Sequence, residues 1–129
     1  LAYTAYINDE KKLQKDSERM AKIYLNQFKV DNTQFLFLEE FLKKSRENNI
    51  QVFLIWPRVY IDYRKELASP KMRETWWKKV LELSNKYNYP SFDFNEISDC
   101  DLFYDASHQS TLCYEKQINY LVDEYEKKY

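Results

Sequence analysis

The hydrophobic pattern divides this chain into elements before any motif is considered. Leu13, Met20, Tyr24 and Phe28 recur at near-helical spacing behind Asn8-Asp9-Glu10, whose acidic groups suit the positive end of a helix dipole. They predict a first helix of about five turns. Asp31-Asn32-Thr33 offers the next set of N-cap residues, and Phe35, Leu38 and Leu42 share one face behind it. A second helix is expected from Gln34 to Glu47. Asn48-Asn49 would close it, since Asn tolerates the left-handed backbone of a C-cap.

The period then changes. Ile50 to Trp56 is a nearly continuous apolar run stopped by Pro57. Such a run predicts a strand covered on both faces, as in a parallel sheet between helices. Ser69-Pro70 reads as an N-cap followed by Pro at the first helical position. Met72, Trp76, Val80 and Leu83 extend that helix to about Tyr87, with Trp76 and Trp77 in its packing face. Ser91 to Phe94 is a short second strand after Pro90, and Glu96 to Ser107 is a polar loop. A last helix begins near Ser110 or Thr111, with Tyr114, Ile118, Leu121, Val122 and Tyr125 on one face. Leu1 to Ile7 carries a weak pattern for a third strand. Helices alternating with strands predict an α/β fold with right-handed crossovers. No repeat, low-complexity tract or linker divides residues 1–129, so one domain is expected.

Composition removes several functions. Net charge is −1 with both signs mixed along the chain, so nucleic-acid binding has no electrostatic footprint. No run approaches roughly 18 apolar residues, and no membrane span is expected. Glycine is absent, which argues against the Gly-rich phosphate loops of nucleotide sites. Cys100 and Cys113 fit no metal spacing and read as free thiols, with a disulfide left open. One histidine and no carboxylate spacing of the right kind leave no metal site, and no cofactor is expected.

The candidate chemistry lies at Asp105-Ala106-Ser107-His108, which holds the only histidine. A histidine base needs a partner that fixes its tautomer and stabilises the imidazolium. An aspartate three residues earlier, in a turn entering a helix, can fold back to do so. Asp105, Ser107 and Ser110 are equally good helix-start residues, so capping is the competing explanation. Ligands in open α/β sheets bind beyond the carboxyl ends of the strands. Pro57-Arg58-Val59-Tyr60 and the Asp105–His108 loop should both lie on that rim. Arg58 is a candidate for an anionic or carbonyl group, and Tyr60 and Tyr104 for a sugar or acyl pocket.

Phe103-Tyr104-Asp105-Ala106-Ser107-His108-Gln109-Ser110, followed by a terminal helix, resembles the last block of SGNH (GDSL-like) hydrolases. The apolar strand ending in Pro57, the long helix and the short strand with Asp93 resemble the elements before it. The resemblance covers residues 34–128, the C-terminal half of that fold. It implies a partial three-layer α/β/α (flavodoxin-like) arrangement with a short parallel sheet flanked by helices. It also implies a catalytic Asp105 and His108, and an acylated carbohydrate or small ester as substrate. A looser likeness, to bacterial SGNH-like proteins of envelope or polysaccharide acylation, implies an extracytoplasmic location. The family's Gly-Asp-Ser block is absent here, and its Leu-Asn after the histidine is Gln109-Ser110.

The expected function is therefore the C-terminal portion of an SGNH-like serine esterase or O-acyltransferase, inactive alone and completed by an upstream nucleophile. The alternative is a non-catalytic α/β module that binds a partner or self-associates through the edges of its thin sheet. A carbohydrate-binding role for the rim aromatics is a third.

Overall fold

The computed structural model describes residues 4–128. Helix α1 (Glu10–Met20) starts where the acidic cluster predicts, with the Asp9 carboxylate accepting the Lys12 N–H at 3.2 Å. It continues into a π-helical turn, Ala21–Leu25, and the chain reverses at Gln27 with φ 69°. Helix α2 (Asn32–Glu47) is capped by Asp31, which accepts from the Thr33 N–H at 2.9 Å. Asn49 leaves it at φ 56°, and Asn88 adopts the same φ two residues beyond α4 (Lys78–Lys86). Asparagine fills the left-handed position that glycine usually takes.

Strand β1 (Leu54–Trp56) pairs in parallel with β2 (Ser91–Asp93), in the register Leu54↔Ser91 to Trp56↔Asp93. The apolar run from Ile50 is thus longer than the strand it forms. The partner sets the limit. Pro90 has no N–H, although its carbonyl still accepts from Leu54 at 3.1 Å. Asp93 caps a short helix, α5 (Phe94–Ile97), by accepting the Asn95 N–H at 2.9 Å, so Phe94 belongs to helix and not strand.

Helix α3 (Ile61–Glu66) has no counterpart in the periodicity. The helix expected from Ser69-Pro70 begins later: the chain turns through Lys71 at φ 52°, then enters a π-helical turn (Arg73–Trp77) that leads into α4. The loop expected over 96–107 is partly ordered as α5 and an antiparallel hairpin, β3 (Phe103–Asp105) and β4 (His108–Gln109). Helix α6 (Leu112–Lys128) follows. Of the weak third strand, Leu1–Tyr3 lie outside the described residues. Thr4–Ile7 form no strand, and Ile7 donates its N–H to the Phe103 carbonyl at 2.8 Å.

Side chains alternate across β1 and β2. Trp56 packs on Trp76 and Trp77, each with ring centroids 5.4 Å away, so the tryptophans do serve packing. Phe92 meets Tyr120 of α6 at 5.5 Å, and Phe53 meets Tyr125 at 6.3 Å. One buried cluster joins Met20, Phe35, Trp56, Val59, Tyr63, Trp77 and Ala106. Ala106 is the centre of the Asp-x-x-His segment, so the core reaches the candidate site.

The free-thiol expectation is corrected. Cys100 and Cys113 form a disulfide with Cα atoms 5.7 Å apart. Their separation of 13 residues looks like an arbitrary gap in the sequence. The hairpin folds back on itself between them and brings the start of α6 beside the segment before β3.

Candidate functional site

Asp105 and His108 face each other across the tight turn that joins β3 to β4. The Asp105 Oδ1 atom accepts the backbone N–H groups of Ser107 and His108, both at 2.9 Å. The capping explanation is thus correct as far as it goes. The same carboxylate also meets His108 Nδ1, at 2.9 Å from Oδ1 and 3.0 Å from Oδ2. An ionised carboxylate only accepts, so Nδ1 donates, and Nε2 carries the lone pair of the neutral ring. Among the described residues nothing bonds Nε2, and the side chain is 65% exposed.

No local serine is placed to use that lone pair. Ser107 Oγ lies 3.0 Å from Nδ1 and 3.2 Å from Asp105 Oδ1, on the wrong side of the ring. Ser110 is fully buried and donates to the Thr4 carbonyl at 2.9 Å. Its N–H goes to the Leu102 carbonyl and its own carbonyl accepts from Cys113, so it serves the start of α6. Gln109 is also structural: its amide donates to the Cys100 carbonyl at 2.7 Å and its oxygen accepts from Gln117.

The two rim segments converge as the strand ends require. The Tyr60 N–H donates to the Ala106 carbonyl at 2.9 Å, tying the chain just past β1 to the turn. Asp16 of α1 holds the other side of the turn. Its Oδ2 accepts the Ala106 N–H at 2.9 Å, and its Oδ1 pairs with Arg19 at 2.6 Å. Burial raises the Asp16 carboxyl, but the Ala106 N–H, the Arg19 hydrogen bond and charge, and Lys12 together hold it below the usual carboxylate range. Burial, with the charges of Tyr24 and Asp105 beyond it, pushes the Tyr63 phenol up. Nothing in the local sequence marks Asp16. An aspartate three residues before an arginine on a helix reads as a surface ion pair.

Arg58 and Tyr60 do share a groove, of about 550 Å3, with Asn8, Glu10, Arg64 and Asp101. Arg58, however, is already engaged. Its guanidinium is only 12% exposed, pairs with Asp101 at 2.8 Å and donates to the Asn95 carbonyl at 2.9 Å. Arg64 donates to the same carbonyl at 2.7 Å. Asn95 is the hub here: its Oδ1 accepts the Val59 N–H at 2.9 Å and its amide donates to the Pro57 carbonyl at 3.2 Å. Tyr60 rests edge-on against Phe103, with ring centroids 5.6 Å apart. Burial, then the charges of Asp62, Glu10 and Asp101, raises its phenol. Tyr104 is exposed and lies outside the lining of that groove.

A smaller cleft of about 140 Å3 lies between Trp56, Arg64, Arg73 and Asn95. The Nε atom of Arg64 is buried there without a hydrogen-bond partner. Arg73 is matched by Asp93 and Glu96, and Glu74 also lines the cleft, so its charges leave no net attraction for an anion. Among the described residues no group of three or more His, Cys, Asp or Glu side chains is placed to hold a metal ion. No helix among them is long and apolar enough to cross a membrane.

A family model spans nearly all of this architecture, matching residues 3–125. The chain belongs to DUF1574, a family of proteins of unknown function. No curated protein and no solved structure matches it.

Proposed function

We propose that this chain supplies the acid–base half of an SGNH-like serine esterase or O-acyltransferase, with His108 as general base and Asp105 as its orienting carboxylate. The observation that carries the reading is the doubly contacted Nδ1, which leaves Nε2 basic and open to solvent. The nucleophile is a serine from outside residues 4–128. Its Oγ attacks the acyl carbonyl while Nε2 takes the hydroxyl proton. Asp105 stabilises the resulting imidazolium. Nε2 then returns the proton to the departing alkoxide, leaving an acyl-enzyme. Water or an acceptor hydroxyl repeats the sequence in reverse and releases the acyl group.

The proposal includes a three-layer α/β/α arrangement. Supporting it is the parity of the ring contacts: Trp56 meets Trp76 and Trp77, whereas Phe53 and Phe92 meet α6. Tyr60 in the groove and the exposed Tyr104 are the proposed contacts for an acylated carbohydrate or small ester, with Arg58 shaping the groove wall through Asp101 and Asn95. The disulfide supports an oxidising, extracytoplasmic location, because such bonds persist in those compartments. The test is acyl transfer from an activated ester by the native polypeptide that carries this chain. His108→Ala should lower kcat by roughly 10²–10⁴-fold. An unchanged rate would sink the reading.

Two observations favour a second reading. Leu36 and Phe37 on α2 are each 67% exposed, and each strand of the parallel pair has one neighbour among the described residues. Self-association through that edge and face would cover both. A concentration-independent monomer in sedimentation equilibrium would remove this alternative.

A further inference from the structure

Asp105 and His108 meet only because the two residues between them turn sharply, and the turn is held from outside. Ala106 is completely buried, so its backbone N–H and C=O have no water to bond. Its two polar atoms are satisfied by different parts of the chain. The carbonyl accepts from Tyr60 just beyond β1, and the N–H donates to Asp16 on α1, 90 residues away in sequence. The Tyr60 bond is backbone to backbone, so substitutions other than proline keep its atoms. The Asp16 bond depends on one carboxylate.

Three features make that carboxylate more than a passing contact. It is 17% exposed, so solvent competes weakly for it. Arg19 grips its other oxygen through both Nε, at 3.0 Å, and Nη2, at 2.6 Å, which fixes the rotamer that points Oδ2 at Ala106. The arginine also lies near enough to Asp105 to feel its charge.

We propose that Asp16 is a positioning residue for the Asp105–His108 pair. Its carboxylate fixes the Asp105–Ala106 peptide plane through the Ala106 N–H, and that plane sets the approach of the Asp105 carboxylate to Nδ1. Asp16 does not touch the reacting atoms; it acts through Ala106. The idea rests on the acyl-transfer reading for its purpose, but not for its test.

The chain contains one histidine, which makes that ring its own probe. In protein labelled with 15N only at histidine, neutral His108 should show a protonated Nδ1 and a pyridine-like Nε2. Asp16→Ala should move the pair of signals toward the Nε2–H tautomer that free histidine favours, with the far-ultraviolet circular dichroism kept. Asp16→Asn should move them part of the way, because a neutral amide oxygen accepts less strongly and releases Arg19. Ring signals identical to wild type in a folded Asp16→Ala protein overturn the proposal. If that variant does not fold, identical signals in Asp16→Asn overturn it instead. The ring signals require no turnover, so this failure is separate from any failure of the hydrolase reading. In the native polypeptide the same variant should lower kcat about tenfold to a hundredfold with KM unchanged, the effect of a small misplacement of a catalytic group.

Discussion

The turn at Asp105–His108 and the segment Pro57–Tyr60 occupy the same rim, are joined by one hydrogen bond, and use their polar groups in opposite ways. In the turn, a carboxylate and two main-chain donors converge so that one ring nitrogen is satisfied and the other is left open. In the segment after β1, the Arg58 guanidinium and the Val59 N–H are already matched within the chain. Arg58 and the Val59 N–H both go to Asn95, whose amide reaches back to Pro57. Both segments have the residue types of a binding site. Which groups remain unsatisfied separates chemistry from architecture, and residue type alone does not.

Substitution at the two centres should expose this difference. His108→Ala should abolish most acyl transfer while changing stability by no more than about 0.5 kcal/mol, as expected for an exposed side chain. Asn95→Ala should do the reverse first. It strands the Val59 N–H and the Pro57 carbonyl, while the two guanidiniums keep the Asn95 main-chain carbonyl, at a cost of about 2 kcal/mol in urea unfolding. If Asn95→Ala proved as stable as wild type, the hub would be dispensable and the contrast would collapse.

Reduction of the Cys100–Cys113 bond tests the turn's dependence on its surroundings. The bond closes the segment that contains the whole hairpin. Its loss should cost about 3 kcal/mol, by the entropy of a loop of this length. Denaturation with and without reductant would measure it. Equal midpoints would mean that Gln109, Gln117 and Ser110 hold the hairpin to α6 unaided.

The smallest expected effect is a pH dependence of the Asp16 contact. Its carboxyl is depressed below the ordinary value of 3.8. A group depressed in the folded state contributes stability that is complete above the unfolded value and lost as pH falls through the folded one. The stability gap between wild type and Asp16→Asn should be constant at neutral pH and shrink only below about pH 4. The groups that face Asp16 are Arg19, Lys12 and the Ala106 N–H. The Asp105→Asn background is the control for the neighbouring carboxylate. A gap that closes already between pH 5 and 7 would contradict the depressed carboxyl.

Much of the scaffold is legible along the chain. Asp9 and Asp31 announce their helices, Asn49 and Asn88 supply the left-handed positions that follow α2 and α4, and the parallel strands follow from an apolar run and a Pro-bounded one. Asp-x-x-His is legible as a pair because three residues are close enough for one turn. Helix α3 is not, since six residues span too few turns to show a period. Nor are the π-helical turns, where an extra residue per turn breaks the spacing that the eye follows.

Local sequence determined the caps, the helix faces, the parallel strand pair and the partnership of Asp105 with His108, because each is decided within a few residues by sterics and hydrogen bonding. Tertiary structure decided that the two cysteines join, that Arg58 is spent on Asn95 and Asp101, and that Asp16 reaches Ala106. Those outcomes bring together residues 13, about 40 and 90 positions apart. Separations of that size are set by how the whole core packs, and no local pattern carries them.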